Sequence, residues 1–152
     1  RVAPSFMIEE MLHRNAMFCA GHAEGIADLE AEPLGIEDLG GGLWRVAWTV
    51  RNKKLLPTRS AMAAREKIGT PDRVILEGKD VEVLASGISR DRFRPNRVEL
   101  QEGDPDRILL EEGIPSRGWV KVVWIVRGRG GFELRYQAEK ADDLTVAATL
   151  PE

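Results

Sequence analysis

The chain has 152 residues, 43% hydrophobic and 31% charged, the composition of one soluble globular domain, or one domain with an appended element, able to bury a core. A formal net charge of -3 and a pI of about 5.6 give no electrostatic footing for nucleic acid as a partner. A single cysteine, Cys19, excludes an internal disulfide and a cysteine metal cluster, and no apolar run approaches the roughly 18 residues of a membrane span.

Phe6 to Ala20 reads as an amphipathic helix, with Met7, Met11 and Phe18 along one stripe and Ile8, Leu12 and Cys19 beside it. Ser5 is the expected N-cap and Gly21 the expected stop. So wide a stripe must bury itself, either on the sheet that follows or on a domain upstream. The chain opens without Met and reads as a piece of a longer one, with no signal peptide at its start. One cysteine leaves both the cytoplasm and export open.

From residue 26 onward the period changes to that of strands. Leu29 to Leu39 reads as an edge strand interrupted by Pro33 and Gly35, and Gly40 to Gly42 as a hairpin turn. In Trp44 to Asn52, residues Trp44, Val46, Trp48 and Val50 share one face while Arg45, Thr49 and Arg51 share the other. Thr58 or Ser60 is expected to cap a short helical turn through Ala64. Short strands follow at Arg73 to Leu76, Val81 to Ala85, Val98 to Leu100 and Arg107 to Leu110. Trp119 to Arg127 is apolar on both faces, as expected of a central strand, and Gly128 to Gly131 reads as a hairpin turn. Phe132, Leu134, Tyr136 and Ala138 alternate with charged and polar residues, and Leu144 to Leu150 closes the set. Many short strands joined by Gly and Pro turns predict an Ig-like antiparallel β-sandwich over 26–152, preceded by the helix in 1–25.

Motifs that carry chemistry are hard to find in this sequence. Neither His13 nor His22 opens a His-x-x-Glu pair, since Ala16 and Gly25 hold the third positions after them, and two histidines do not make the three-ligand set of a zinc enzyme. His22, just past the expected helix stop, suits a bond to the last helical carbonyls. No Gly-x-Ser-x-Gly elbow is present, and Cys19 falls on an apolar helix side. In Gly128-Arg129-Gly130-Gly131, Glu133 stands where a dinucleotide fingerprint needs its third Gly, and a strand follows instead of a helix. Adjacent carboxylates such as Glu111-Glu112 and Asp142-Asp143 diverge in extended structure and read as solvated charges. One suggestive patch remains: Arg90, Arg92, Arg94 and Arg97 around Phe93, a candidate anion or partner contact set against a solvated loop balanced by Asp91.

Longer strings then point to a family. Pro4-Ser5-Phe6 followed by Glu9-Glu10-Met11-Leu12-His13-Arg14-Asn15-Ala16-Met17-Phe18 resembles the segment that ends the catalytic domain of bacterial zinc carboxypeptidase-like metallopeptidases. Gly41-Gly42-Leu43-Trp44-Arg45-Val46 through Val50-Arg51-Asn52, then Leu56-Pro57-Thr58, is similar to the opening of the β-rich domain that follows it there, and Val122 to Gly128 resembles a late strand of that domain. Lys54 and Val123 depart from the Gly and the acidic residue usual in that group. The resemblance implies a parent hydrolase with one zinc, held by a His-x-x-Glu pair and a later His, and a Glu as general base. All of those groups belong to the upstream catalytic domain, so no catalytic residue, metal ligand or cofactor is assigned to this chain.

The expected function is therefore a non-catalytic C-terminal β-sandwich that packs on its catalytic domain and stabilises it. Candidate interdomain contacts are Met7, Met11 and Phe18 on the helix and Val123 and Ile125 on the second face of the late strand. Exposed apolar surface there would also support self-association. The alternative is an independent carbohydrate- or protein-binding module, for which Trp119, at a strand edge, is the one candidate sugar platform.

Overall fold

The computed structural model describes residues 4–91, 93–94 and 96–151. A helix, α1 (Ser5–Ala23), leads into β1 (Leu29–Gly40), β2 (Leu43–Asn52), the short α2 (Ala61–Arg65), β3 (Asp72–Gly78) and β4 (Val81–Ser89). Then come β5 (Glu99–Leu100), β6 (Arg107–Leu110), β7 (Trp119–Gly128), β8 (Gly131–Ala138) and β9 (Ala141–Thr149). The strands form two antiparallel sheets, ordered β1-β2-β7-β4-β5 and β6-β3-β8-β9. The set β1-β2-β7-β4 over β3-β8-β9 is the four-over-three frame of an immunoglobulin-like sandwich, with β5 and β6 each extending one sheet.

Period-two alternation builds the core. Val46, Trp48 and Val50 of β2 and Val120, Val122, Trp124 and Val126 of β7 face inward from the first sheet. Val74, Leu76, Ile108, Leu110, Phe132, Leu134 and Tyr136 meet them from the second. Full burial of one such aliphatic or aromatic side chain stabilises by about 1.5–3 kcal/mol, so these two rows account for the sandwich. As its two apolar faces suggested, β7 lies at the centre of its sheet, paired with β2 on one side and β4 on the other. β1 is the edge strand, bulged between Pro33 and Gly35 and again between Asp38 and Gly40.

One connection departs from the sequence reading, and two more share its geometry. Gly128–Gly131 is a corner between the sheets, not a hairpin turn: β7 pairs with β2 and β4, whereas β8 pairs with β3 and β9. The turn after Gly78 likewise passes from β3 in one sheet to β4 in the other, and the turn at Gly103 to Pro105 passes from β5 to β6 across the same gap. At this end Gly128 N donates to Gly42 O (3.2 Å), Arg129 N to Asp80 O (3.1 Å) and Leu150 N to Gly130 O (2.9 Å), while Trp44 Nε1 reaches Gly128 O (3.2 Å). Gly128 is required here, because its φ is 138° and a Cβ would lie 2.0 Å from Asp80 O.

The helix also differs from expectation. Pro4, not Ser5, holds the N-cap position, and α1 continues through Gly21 to Ala23. Gly21 has open space around it, and Glu24 N closes the last turn on Ala20 O (3.1 Å). α1 has no buried residue and no element packs along it, so the sheet is not what covers its apolar stripe. It is not long and apolar enough to cross a membrane, nor is any other helix among the described residues.

Candidate functional site

Met7, Met11 and Phe18 stand exposed on α1 with Ile8 and Leu12 beside them, while Phe6 and Met17 are exposed on another side. Phe18 is 67% exposed, and its ring meets the His22 imidazole with centroids 4.3 Å apart. His22 Nδ1 lies 3.2 Å from Phe18 O, in the carbonyl-bonding place its sequence position suggested. The other half of the expected interdomain surface is buried at Val123 and half-buried at Ile125. Val123 is only 5% exposed, and a hollow that it shares with Ile125 is bounded by Asn96, Val98 and Leu100 of the same chain. That segment sits close: a Cβ on Gly87, which pairs with Val123, would lie 2.5 Å from Val98 Cγ1. The second face of β7 is thus closed at Val123 by its own loop, and Ile125 is half-buried.

The arginine run is divided. Arg90 Nη1 pairs with Glu112 Oε2 (3.0 Å) and its Nη2 donates to Gly113 O (3.2 Å), which ties the loop after β4 to the loop after β6. Arg94 and Arg97 are exposed on that loop, with Phe93 92% exposed between them and Arg90, and Arg92 lies outside the described residues. Asp91 Oδ1 accepts from Phe93 N (2.8 Å) and Arg94 N (3.1 Å), the hydrogen bonding of an Asx turn. Arg90 works as a loop tie, and Arg94 and Arg97 share no pocket with it.

A different cationic site forms on the outer face of the first sheet. Arg51 pairs across with Trp119, and Thr49 with Lys121, because β2 and β7 are antiparallel neighbours and these positions alternate with the core residues. The loop before β7 brings Arg117 and the loop after β4 brings Arg90 and Asn96, enclosing a cleft of about 890 Å³. Four cations, Arg51, Arg90, Arg117 and Lys121, line it against one carboxylate, Glu32. The wall is held by backbone bonds: Asn52 N to Gly118 O (2.9 Å), Arg117 N to Lys54 O (3.0 Å), and Asn52 Nδ2 to Pro115 O (3.2 Å). Arg117 keeps a left-handed φ of 50°, a conformation that costs a non-glycine residue about 1 kcal/mol or more. Burial, with the Arg45 guanidinium adding to it, holds the Lys121 ammonium below its ordinary range. The signal for this site was the polar face of Trp44 to Asn52. Its partners lie some seventy residues away, and only strand pairing brings them together.

A second polar cluster is buried and closes one end of the core. Asp72 Oδ2 accepts from Tyr136 OH (2.7 Å) and from Thr58 Oγ1, and Thr58 Oγ1 in turn accepts from Ile114 N (2.7 Å). Burial pushes the Asp72 carboxyl up, although the Thr58 and Tyr136 hydroxyls favour its ionised form. Tyr136 is pushed up by burial and then by the Asp72 charge. Arg59, also buried, donates through Nη2 to Ala63 O (3.2 Å) and Ile68 O (3.1 Å), fastening α2, and its Nη1 lies 3.8 Å from the exposed Glu111 carboxylate. Glu139 accepts from Thr70 N (2.8 Å) and Oγ1 (3.1 Å), which holds its carboxyl below the usual range. These hydrogen bonds fasten the loop before α2 and the loop after β6 to β3 and β8. Among the described residues no group of three or more His, Cys, Asp or Glu side chains is placed to hold a metal ion.

Residues 28–149 match the family model described as "Domain of unknown function (DUF8731)". No curated protein matches the chain. Among solved structures, it is similar to a conjugate transposon protein (residues 27–141) from Bacteroides vulgatus at 14% identity and a TM-score of 0.40, over 79% of this chain and 82% of that one. It is also similar to the GAE domain of GGA2p from Saccharomyces cerevisiae at 13% identity and a TM-score of 0.30, over 81% and 89% of the two chains. The yeast GGA1 GAE domain gives 10% identity and a TM-score of 0.29, over 81% and 91%.

Proposed function

We propose that this chain, which belongs to the DUF8731 family, is a non-catalytic β-sandwich accessory domain of a zinc carboxypeptidase-like metallopeptidase. It packs on the catalytic domain through α1 and stabilises it. The observation that carries this reading is the helix itself. A stripe of Met7, Met11 and Phe18, widened by Ile8 and Leu12, lies uncovered on a 19-residue helix that the sandwich does not touch along its length. In water, isolated helices draw little stability from propensity, and packing of an apolar face supplies most of it. Contiguous exposed apolar surface of this kind marks an interaction site. The strings from Pro4 to Phe18 that resemble the end of a catalytic domain support such a domain as the occupant.

In this reading the chain takes no catalytic step. Zinc belongs to the partner domain, and the contribution here is the helix contact. The test is the reading frame upstream of the Arg1 codon, which should encode a His-x-x-Glu pair and a later His. In the protein containing both parts, Met11→Glu with Phe18→Glu should lower the melting temperature of the catalytic domain while leaving that of the sandwich in place. An upstream frame without such ligands, or a catalytic domain indifferent to the double substitution, sinks the reading.

A second reading, an independent binding module, draws on one observation: Trp119 is half-buried, not fully covered, and lines the cationic cleft. Both roles are compatible in one chain, since α1 and the cleft share no residue.

A further inference from the structure

We infer that the cleft between β2, β7, the 113–118 loop, Arg90 and Asn96 is a binding site for an acidic carbohydrate, a chain of carboxylated sugars of the uronic acid class. Four features converge on that ligand. The cleft, about 890 Å³, falls within the ~300–1,000 Å³ of ligand-sized sites. Its lining holds four cations against one carboxylate, and one of the four, Arg90, is paired with Glu112 outside it, on a chain whose net charge is -3. Arg90 is committed to Glu112 and Gly113 O, whereas the guanidinium groups of Arg51 and Arg117 have no hydrogen bond or ion pair to a described residue. Planar guanidinium groups left in this way suit the two oxygens of a carboxylate.

Trp119 separates this site from a plain anion trap. It pairs directly with Arg51 across the strands and follows Arg117 by two residues, and all three line the same cleft. A pyranose ring offers C–H groups to such a surface, and a uronic acid adds the carboxylate that the arginines require. Thr49 and Asn96 supply side chains that can bond sugar hydroxyls. The φ of 50° at Arg117 bears on the same point. That backbone position favours glycine, and an arginine there lines the cleft at a conformational cost. The pinned 113–118 loop holds the wall before any ligand arrives, which lessens the ordering cost of binding.

The site is independent of the α1 contact, and its success or failure is read separately. The test is calorimetric titration of the intact chain with a galacturonate hexamer, its fully methyl-esterified counterpart and a glutamate hexapeptide. The galacturonate should bind, with affinity falling as salt is added. The neutral ester should bind about tenfold more weakly or worse, as should Arg51→Gln and Arg117→Gln with the galacturonate. Both arginines are exposed, and circular dichroism with thermal melting confirms that the variants fold. Arg94→Gln, outside the cleft, should bind as the parent does. Absence of galacturonate binding overturns the inference, as does binding that ignores both cleft arginines. A glutamate peptide that binds as tightly as the sugar would replace it with an acidic-peptide site.

Discussion

Strand β2 and helix α1 are the two segments of this chain with the plainest apolar patterns, and their fates are opposite. β2 buries Val46, Trp48, Val50 and Asn52, whereas α1, nearly twice as long, buries nothing. Both patterns are amphipathic, one with period two and the other with period near 3.6. The difference lies in what faces them: β2 has β7 at its side and a second sheet beneath it, and α1 has neither. An apolar stripe states that burial is needed and is silent about who provides it.

That contrast can be broken most severely at Trp124, which has no exposed surface. Trp124→Ala should cost about 3–5 kcal/mol in urea unfolding, while Phe18→Ala in the same chain should change stability by less than about 0.5 kcal/mol. Equal effects would mean that α1 packs on the sandwich.

The next effect belongs to the buried carboxyl. Asp72→Ala strands the Tyr136 and Thr58 hydroxyls and should cost about 2 kcal/mol or more. Its pH signature follows from the raised folded-state value. The folded chain holds the Asp72 proton more tightly than the unfolded chain, so this contribution is fully present below the ordinary carboxylate range. It is lost as pH rises through the higher folded value. Asp72→Asn, which keeps an acceptor for both hydroxyls, should remove that dependence in melts from pH 3 to 8. An unchanged profile would contradict the assignment.

Gly128→Ala should then cost about 1–3 kcal/mol, since a methyl group 2.0 Å from Asp80 O forces the corner to shift. The smallest effect sharpens the contrast from the other side. Removing residues 1–23 should move the melting temperature by no more than about 2 °C, because the sandwich loses no packing.

Much of this architecture was legible in the sequence, and the illegible parts share one cause. β2, β7 and β8 declare themselves because alternation is a local property that one core face enforces. The edge character of β1 was readable from Pro33 and Gly35, whose bulge the register shows. Sheet membership was not readable. The Gly128–Gly131 turn looks like a hairpin turn, yet it is a corner, because the choice of strand partner depends on contacts distant in the chain. The cleft was hidden for the same reason: Arg51, Arg117, Trp119 and Lys121 come together only through the β2–β7 register. The arginine run after β4 was prominent in sequence, yet Arg90 proved to be a tie between loops.

Native-state amide hydrogen exchange on the chain alone, followed at two concentrations, tests most directly whether α1 lacks a partner within its own molecule. Amides from Met11 to Cys19 should exchange orders of magnitude faster than those of Val122 to Val126 at both concentrations. Protection of α1 equal to that of β7 in the dilute isolated chain would contradict this.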